Sequence, residues 1–342
     1  CDRAVRLAHR AAHVARDSMK AWYNLQITMM SCDITGTWDF SMKSPAPPQI
    51  LPPSRDKGQR GECTDLVVVT AASRDYFERA RNLAGSLHVW EPHTLLLLYD
   101  LGLDPQQARS AAGWKNVQLK TLHFDALPVH FRWNGWETST YAFKPLVVSQ
   151  ALDAHDCVLW LDSGVEVRQP LHWARSWLRS HGVLLIHSGW PFPNSWVHPA
   201  ALVALNKSAY PSTEDKETNQ KLFGDFTDPG GLAMKEVWSG VLGVRRSERI
   251  VYQYVIRPWY ECALERECIA PRGSNKTNHR QDQTALSILV LGQPLIRDTY
   301  RIFTSTRLRA FAPAHAGLLT TDERTSNEIL LFQRRGNLPW PY

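Results

Sequence analysis

Short apolar runs recur between residues 63 and 190 and are separated by stretches with a different periodicity. Each run is rich in aliphatic or β-branched residues, and none is long enough to favour a helix. Five such runs predict buried strands: DLVVVT (65–70), TLLLLYD (94–100), VQLKTL (117–122), CVLWLD (157–162) and VLLIH (183–187).

The stretches between these runs place apolar residues at helical spacing. They predict helices over 74–90, 104–113, 144–154 and 171–182. Ser73 is the predicted N-cap of the first helix, whereas Asp104, Pro105 and Gly113 mark the start and end of the second. Strands and helices that alternate through short connections predict an α/β domain with a mostly parallel sheet.

The N-terminal part of the chain has a different composition. Residues 1–24 are rich in Ala and Arg and predict a helix, and the segment 44–62 is rich in proline. We therefore predict a stem or appendage with a Pro-rich linker over 1–62 and the main domain over 63–342. The chain opens at Cys1 and has no long apolar run, so we expect a fragment or processed form whose membrane anchor, if any, lies outside it.

The overall composition is that of a globular protein, with 44% hydrophobic and 21% charged residues in 342. The formal net charge of +6 suits an anionic substrate such as a nucleoside diphosphate. The basic residues form no dense stripe along the chain. Nucleic acid is therefore not predicted as a partner.

The six cysteines are Cys1, Cys32, Cys63, Cys157, Cys262 and Cys268. No CxxC pair is present, which disfavours a structural zinc site. Cys262 and Cys268 are a candidate disulfide by proximity, and Cys32 and Cys63, which flank the Pro-rich segment, are another. With glycosylation sequons at Asn206 and Asn275, the cysteines favour the Golgi or ER lumen or secretion.

Several common enzyme signatures are absent. The chain has no GxGxxG after a strand, no GxxxxGK[ST], no GxSxG and no HExxH. Dinucleotide dehydrogenases, P-loop enzymes, α/β-hydrolases and zincins therefore lose support. A sheet that lacks these loops must bind its ligand with side chains.

The most informative position is Asp162, where a buried strand ends in a carboxylate followed by Ser163 and Gly164. Ligands of parallel sheets bind at the carboxyl ends of strands, where Thr70 and Asp100 also lie. A strand-end carboxylate can hold Mn²⁺ or Mg²⁺, which then binds a diphosphate. The alternative is a residue that caps its own turn.

Four segments together resemble nucleotide-sugar glycosyltransferases of the GT-A fold. They are VVVTAASRDYFERARNLAGSLHVWEPHTLLLLYDLGL, YAFKPLVVSQAL, VLWLDSGVEV and HRQDQTALSILV, and the resemblance spans about residues 63–320. It implies a GT-A-like mixed, mostly parallel sheet flanked by helices. It also implies transfer of a sugar from a nucleotide diphosphate, most simply a UDP-sugar, to a glycan or protein hydroxyl with help from Mn²⁺ or Mg²⁺.

The resemblance assigns a metal site, with one departure. These enzymes carry Asp-x-Asp at the strand end, and Asp162 matches the first carboxylate while Gly164 replaces the second. Glu166 is a candidate substitute for the missing carboxylate. His315 is similar to the C-terminal histidine that completes such sites, and its alternative is a surface-loop histidine.

The resemblance also assigns donor-binding residues. Lys144 opens a helix and would approach the donor phosphates, unless it is merely an exposed lysine at a helix start. Thr70 and Ala71 end the first strand, where the nucleoside would lie. Asp100 would contact the nucleoside too, and the alternative is a simple turn aspartate before Gly102.

Two later segments supply the remaining candidates. Ser239 and Gly240 would let the backbone approach the ligand closely, although a buried hairpin is the alternative. Asp282 is a candidate catalytic base for the acceptor hydroxyl, or else a carboxylate that stabilises a helix N-terminus. Trp133, Trp136, Trp190 and Trp196 are candidates for stacking on sugar rings, which makes 134–141 and 187–196 the expected acceptor groove.

Two other classes of protein remain open at this point. Without a second aspartate, the domain could bind a glycan or a protein without transferring a sugar. A nucleotidyltransferase is the weaker alternative, because such an enzyme would have a Gly-rich loop after the first strand and TAASRDY has no glycine.

Overall fold

The computed structural model describes residues 63–133, 135, 139–209, 226, 232–299, 308–309 and 331–333. The predicted stem over 1–62 and the candidate ligand His315 lie outside these residues, and so does Trp136. The described residues fall into two compact units. Residues 123–129 belong to one unit and contain a 3₁₀ turn at Phe124–Ala126, whereas the other unit holds the sheets and the candidate site.

The strands of the larger unit are β1 (Val67–Ala72), β2 (Leu96–Asp100), β3 (Val117–Thr121), β4 (Cys157–Leu161), β5 (Val165–Val167), β6 (Val183–Leu184), β7 (His187–Phe192), β8 (Met234–Val237), β9 (Val241–Arg245), β10 (Leu308–Arg309) and β11 (Leu331–Gln333). Its α-helices of four residues or more are α1 (Phe77–Trp90), α2 (Pro105–Ala112), α3 (Phe143–Ala154), α4 (His172–His181), α5 (Pro199–Ala209), α6 (Arg257–Leu264), α7 (Arg266–Ile269), α8 (Gln281–Leu291) and α9 (Pro294–Thr299). A short helical turn at Arg249–Val251 and a π-helix at Tyr252–Ile256 lead into α6.

The main sheet has the order β3-β2-β1-β4-β9-β6. β1, β2, β3 and β4 are parallel, whereas β9 pairs antiparallel with both β4 and β6. Two smaller sheets follow the orders β10-β11-β5 and β7-β8. The predicted fold class, a mixed and mostly parallel sheet flanked by helices, is confirmed.

The predicted strands and helices are present, with shifted ends. The first helix was predicted from residue 74 with Ser73 as its N-cap, and that detail is wrong. A 3₁₀ turn at Arg74–Tyr76 comes first, the N-cap of α1 is Tyr76, and the Ser73 side chain makes no capping hydrogen bond. Asp104 is the predicted cap of α2, since its carboxylate accepts from the backbone N–H groups of Gln106 and Gln107.

The core is thickest around β1 and β4. Every residue of β4 is buried, and α3 and α8 are buried around most of their circumference. A helix that is apolar on all sides has to lie inside the domain. The N-terminal ends of α3 and α8 therefore deliver polar side chains to the interior beside the end of β4.

Cys63 and Cys157 form one disulfide, and Cys262 and Cys268 form the other. The expected pairing of Cys32 with Cys63 is therefore wrong, whereas that of Cys262 with Cys268 is confirmed. The reason lies in the sheet. Cys63 precedes β1 and Cys157 opens β4, and these two strands are parallel neighbours with Val67 opposite Val158.

Candidate active site

A cavity of about 490 Å³ opens at the carboxyl ends of β1 and β4. Its lining comes from the turns after β1 and β2, the end of β4, the segment between β8 and β9, helix α1, and the starts of α3 and α8 with the segments that lead into them. This is the edge at which ligands of α/β sheets bind. Of the predicted site residues, Ala71, Lys144, Asp162, Ser239 and Asp282 line the cavity.

Lys144 lies at the centre of this group. Its Nζ is 3.0 Å from Asp162 Oδ1 and 3.1 Å from Asp282 Oδ2, and it donates to the Oγ of Ser239 at 3.2 Å. The side chain is only 5% exposed. The carbonyl of Ser239 also accepts from it at 3.3 Å, so four acceptors surround the three donors of this ammonium. Lys144 is therefore buried among charged partners and is not the exposed helix-start lysine that was the alternative to a phosphate contact.

Burial disfavours the charged form of Lys144, but the negative charges of Asp162 and Asp282 outweigh it, so the pKa of Lys144 is raised. Burial also raises the pKa of Asp282, which the positive charge of Lys144 counteracts only in part. Asp282 is the more deeply buried carboxyl, at 5% side-chain exposure against 31% for Asp162. The lysine is thus held in its charged form between the two acids.

The backbone around Asp162 holds its carboxylate toward Lys144. Asp162 N–H donates to the carbonyl of Gly240 at 2.8 Å, and the carbonyl of Asp162 accepts from Val165 N–H at 2.8 Å. The indole N–H of Trp160 donates to Oδ1 of the same carboxylate at 3.1 Å. The side chain does not cap its turn, since the turn is closed by backbone groups.

Gly240 does not line the cavity but packs closely against the side chain of Trp238, which does. A Cβ at this position would lie 2.3 Å from Nε1 of Trp238, so the glycine is required by the neighbouring indole and not by a ligand. Ser239, one residue earlier, donates from Oγ to Gln283 Oε1 at 3.4 Å. The pair therefore ties the start of β9 to the start of α8.

The other predicted residues lie apart from this hub. Thr70 is fully buried behind Ala71 in β1. Asp100 accepts at 2.7 Å from the backbone N–H groups of both Gly102 and Leu103, so it caps its own turn. Neither residue lines the cavity. Glu166, the candidate replacement for the missing carboxylate, lies in β5 and pairs with Arg168 Nε at 2.6 Å, so it does not replace it.

The described residues do not fit a divalent metal centre. Asp162 offers one carboxylate, Gly164 offers no side-chain oxygen, and the second nearby acid, Asp282, shares the Lys144 ammonium with Asp162. Within the part of the chain that the structure describes, no three His, Cys, Asp or Glu residues come together to hold a metal ion. A Mg²⁺ or Mn²⁺ ion there would also meet a buried positive charge.

Aromatic rings form one wall of the cavity. Trp133 packs edge-on against Tyr76 and Tyr141, with ring centroids 5.5 Å away in both cases. Tyr141 and Gln281 both line the cavity and have left-handed backbones, with φ of 55° and 45°. Such conformations in residues other than glycine cluster at functional sites. Of the predicted stacking residues, Trp133 lies in this wall.

Three basic residues of the lining were missed in the sequence: Arg79, Lys276 and Arg280. Arg79 lies on α1 with its guanidinium 4.5 Å from the centroid of the Tyr76 ring. Arg280 precedes α8, pairs with the buried carboxylate of Glu236 at 2.9 Å and lies over the ring of Trp196. Arg280 adjoins the HRQDQT motif already noted, whereas nothing local marks Arg79 in its helix.

Comparisons with known proteins give one family model that matches part of the chain and several solved structures that are similar to it. A family model described as a protein of unknown function (DUF1647) matches residues 55–149, and no curated protein matches the chain. Solved structures similar to this chain include a galactosyltransferase, LgtC, in complex with donor and acceptor sugar analogues (19% identity, 79% of this chain and 87% of that one, TM-score 0.43).

Two other similar structures are of eukaryotic enzymes. Mouse xyloside xylosyltransferase 1 aligns at 13% identity over 81% of this chain and all of its own, with a TM-score of 0.45. Core-mannan synthase A from Aspergillus fumigatus, in a Mn/GDP form, aligns at 9% identity over 67% of this chain and 70% of its own, with a TM-score of 0.42. Alignments this loose do not transfer an activity, so the function has to be argued from the cavity.

Proposed function

We propose that the chain is a glycosyltransferase that moves a sugar from a nucleoside diphosphate to a hydroxyl acceptor. The observation that carries this proposal is the charge and shape of one cavity. At the carboxyl edge of the sheet, Lys144 joins two carboxylates, and three further basic side chains and an aromatic wall line the same cavity. Such a lining suits an anion attached to rings with apolar faces.

The required chemistry is a substitution at the anomeric carbon. A bond forms from the acceptor oxygen to that carbon, and the bond from the carbon to the diphosphate oxygen breaks. The electron pair of the broken bond leaves with the diphosphate, and an oxygen of that diphosphate takes the acceptor proton. Stabilisation of the departing diphosphate is the main electrostatic task, and it falls to the basic residues of the lining.

Asp282 was predicted as a base or as a structural carboxylate, and we assign it to positioning. Its Oδ2 is 3.1 Å from the Lys144 ammonium and its side chain is only 5% exposed, so the carboxylate is engaged in an ion pair and offers little surface to an acceptor hydroxyl. The pair also holds Ser239 beside the start of α8. Asp282 would thereby fix the part of the lining that faces the transferred sugar.

The compartment and the domain division belong to the same proposal. Two disulfides in the described residues are typical of an oxidising compartment, and they support the Golgi or ER lumen or secretion. Among the residues described, no helix combines the length and apolarity that a membrane crossing demands. We propose that residues 63–342 form the transferase domain and that 1–62 are its stem.

The test is to incubate the purified chain with individual UDP- and GDP-sugars and a glycan or peptide hydroxyl acceptor. We expect acceptor-dependent release of the nucleoside diphosphate and a glycosylated product by mass spectrometry. Asp282→Asn should lower kcat about 10-fold with an unchanged pH profile, whereas loss of a base would cost about 100-fold or more and remove the acid limb.

Asp65→Asn is the matched control, because Asp65 is an exposed aspartate outside the cavity. If no donor turns over and the folded protein binds glycans equally well with and without nucleotide, the domain is a binding module and the proposal fails.

A further inference from the structure

Asp162 was predicted as a metal ligand, and in this cavity a lysine ammonium lies beside its carboxylate. The two carboxylates nearest the end of β4 are joined by the Lys144 ammonium, at 3.0 Å from Asp162 and 3.1 Å from Asp282. Two aromatic rings, Tyr141 and Trp160, lie 5.8 and 5.6 Å from the same nitrogen. Burial among these groups fixes the ammonium in place and offsets the charge of Asp162.

Three other basic residues line the same cavity, where a ligand would meet them. Arg280 is already paired with Glu236, whose side chain is fully buried. Lys276 lies 5.8 Å from the Tyr141 ring, on the same wall of the cavity. Arg79 lies across the lining on α1, beside the turn that follows β1.

Among these residues, Arg79 gives the strongest indication of a phosphate-binding role. Its Nε is buried, and this atom has no hydrogen-bond partner among the described residues. The guanidinium is held over the Tyr76 ring, at 4.5 Å from the centroid, and both residues line the cavity. The guanidinium carries four further N–H donors besides the enclosed Nε–H, and a phosphate in the cavity that Arg79 lines can accept from them. Arginine is also the side chain best suited to phosphate oxygens.

We propose that the diphosphate of the nucleotide is bound by side-chain cations, chiefly Arg79 with Lys276, and needs no divalent metal. This inference rests on the proposed function, because it names how that same cavity holds its donor. Lys144 acts as the internal counter-ion that keeps Asp162 and Asp282 from repelling the diphosphate. Gly164 in place of a second aspartate is consistent with this arrangement.

The experiment is calorimetric titration of UDP and of GDP into the purified chain, first in EDTA and then with excess Mn²⁺. We expect one nucleotide to bind in EDTA, with Mn²⁺ changing its Kd less than about 2-fold. Arg79→Gln should weaken that binding about 10- to 100-fold, because it removes a charge-assisted contact, and Arg79→Lys should weaken it less. Lys276→Gln should weaken it about 5-fold.

Arg81→Gln is the matched control, because Arg81 lies on the same helix but is exposed and pairs with Glu78. It should leave the Kd unchanged. Thermal unfolding midpoints of all variants within a few degrees of the wild type ensure that a lost signal is a lost site. His315→Ala, a change at the candidate ligand outside the described residues, should also leave the Kd unchanged.

Three outcomes would count against the proposals, and they are distinguishable. Binding that requires Mn²⁺ overturns the metal-free inference and leaves the glycosyltransferase proposal standing. Binding in EDTA that Arg79→Gln weakens no more than Arg81→Gln overturns the assignment of Arg79. No binding of either nucleotide to the folded protein, with or without Mn²⁺, overturns the proposed function itself.

Discussion

Asp100 and Asp162 lie at the same edge of one sheet, and each follows a buried apolar run. Asp100 turns back on its own loop and accepts from Gly102 and Leu103, both at 2.7 Å. Asp162 leaves the closing of its turn to backbone groups and reaches Lys144 instead. The same local pattern thus gives a structural cap at β2 and a member of a buried ionic group at β4.

The difference arises from what surrounds the two strands. β2 lies between β1 and β3, and the turn after it is closed by Asp100 itself and by a backbone bond from Leu101 N–H to the carbonyl of Ala72 at 2.9 Å. β4 lies between parallel β1 and antiparallel β9, so the segment before β9 meets its end, together with the starts of α3 and α8. A strand-end carboxylate becomes part of a site where several elements bring other polar groups to it.

The largest expected effect comes from removing the cation that distinguishes the β4 region. Lys144→Met should lower the free energy of unfolding by about 3–5 kcal/mol, because Asp282 is left as a buried and unpaired carboxylate. Denaturant unfolding measures this loss, and Lys115→Met, at an exposed lysine, should change stability by less than about 0.5 kcal/mol. A loss as small as that of the control would mean that the ion pairs contribute nothing to the fold.

The next effect concerns His279, a buried residue two positions before the start of α8. Burial lowers the pKa of His279 to about 4, and its Nε2 contacts the carbonyl of Ile269 at 3.1 Å. Between about pH 6.5 and pH 4 the His279 imidazole is therefore protonated in the unfolded chain but neutral in the folded one. Its contribution to the free energy of unfolding is complete above about pH 6.5 and is lost as the pH falls toward about 4.

The loss attributable to His279 should approach about 3 kcal/mol at the acid end. Burial likewise lowers the pKa of His130 and of His187, so the contribution is isolated with His279→Gln, which should flatten the curve between these pH values. Parallel curves for the variant and the wild type would show that His279 is protonated in both states alike.

A third prediction concerns a variant near the end of β4 whose nucleotide binding should become dependent on a metal ion. Gly164→Asp restores a second carboxylate two residues after Asp162 and adds a negative charge to the lining. We expect nucleotide binding in EDTA to weaken about 10-fold and to recover with Mn²⁺, as measured by calorimetry. Unchanged binding in EDTA would place residue 164 away from the diphosphate.

The smallest effect is expected at the other aspartate. Asp100→Asn should lower the free energy of unfolding by about 1 kcal/mol, since the amide oxygen can still accept both bonds but they lose the assistance of the carboxylate charge. Nucleotide affinity should not change, because Asp100 lies outside the cavity lining. A clear loss of nucleotide affinity would restore the predicted contact between Asp100 and the nucleoside.

The elements of this fold could be predicted because their signals are local. β1 to β4 and their helices are encoded by apolar runs, helical spacing and caps such as Asp104. The place of β9 beside β4 could not be predicted, because nothing in its sequence specifies its neighbour. The partner of Cys63 was misassigned for the same reason, since the true pairing depends on β1 lying next to β4.

The residues of the candidate site, too, could be predicted only in part. Asp162 was predicted because it ends a strand at the edge of the sheet where ligands bind, whereas Lys144, Ser239 and Asp282 were predicted from the resemblance to GT-A glycosyltransferases. Arg79 lies within a helix whose other charged residues are exposed, and only the packed structure shows that it turns inward. The role of Lys144 was also hidden, because its two partners come from segments far apart in the chain.

The most direct test of the central claim is the affinity of Asp162→Asn for UDP and GDP in EDTA. If Lys144 and not a metal ion supplies the charge beside Asp162, loss of that carboxylate makes the cavity more positive. The account therefore predicts nucleotide binding about 3- to 10-fold tighter than that of the wild type. Loss of binding in the folded variant, with Mn²⁺ required in the wild type, would show that Asp162 is a metal ligand and contradict the account.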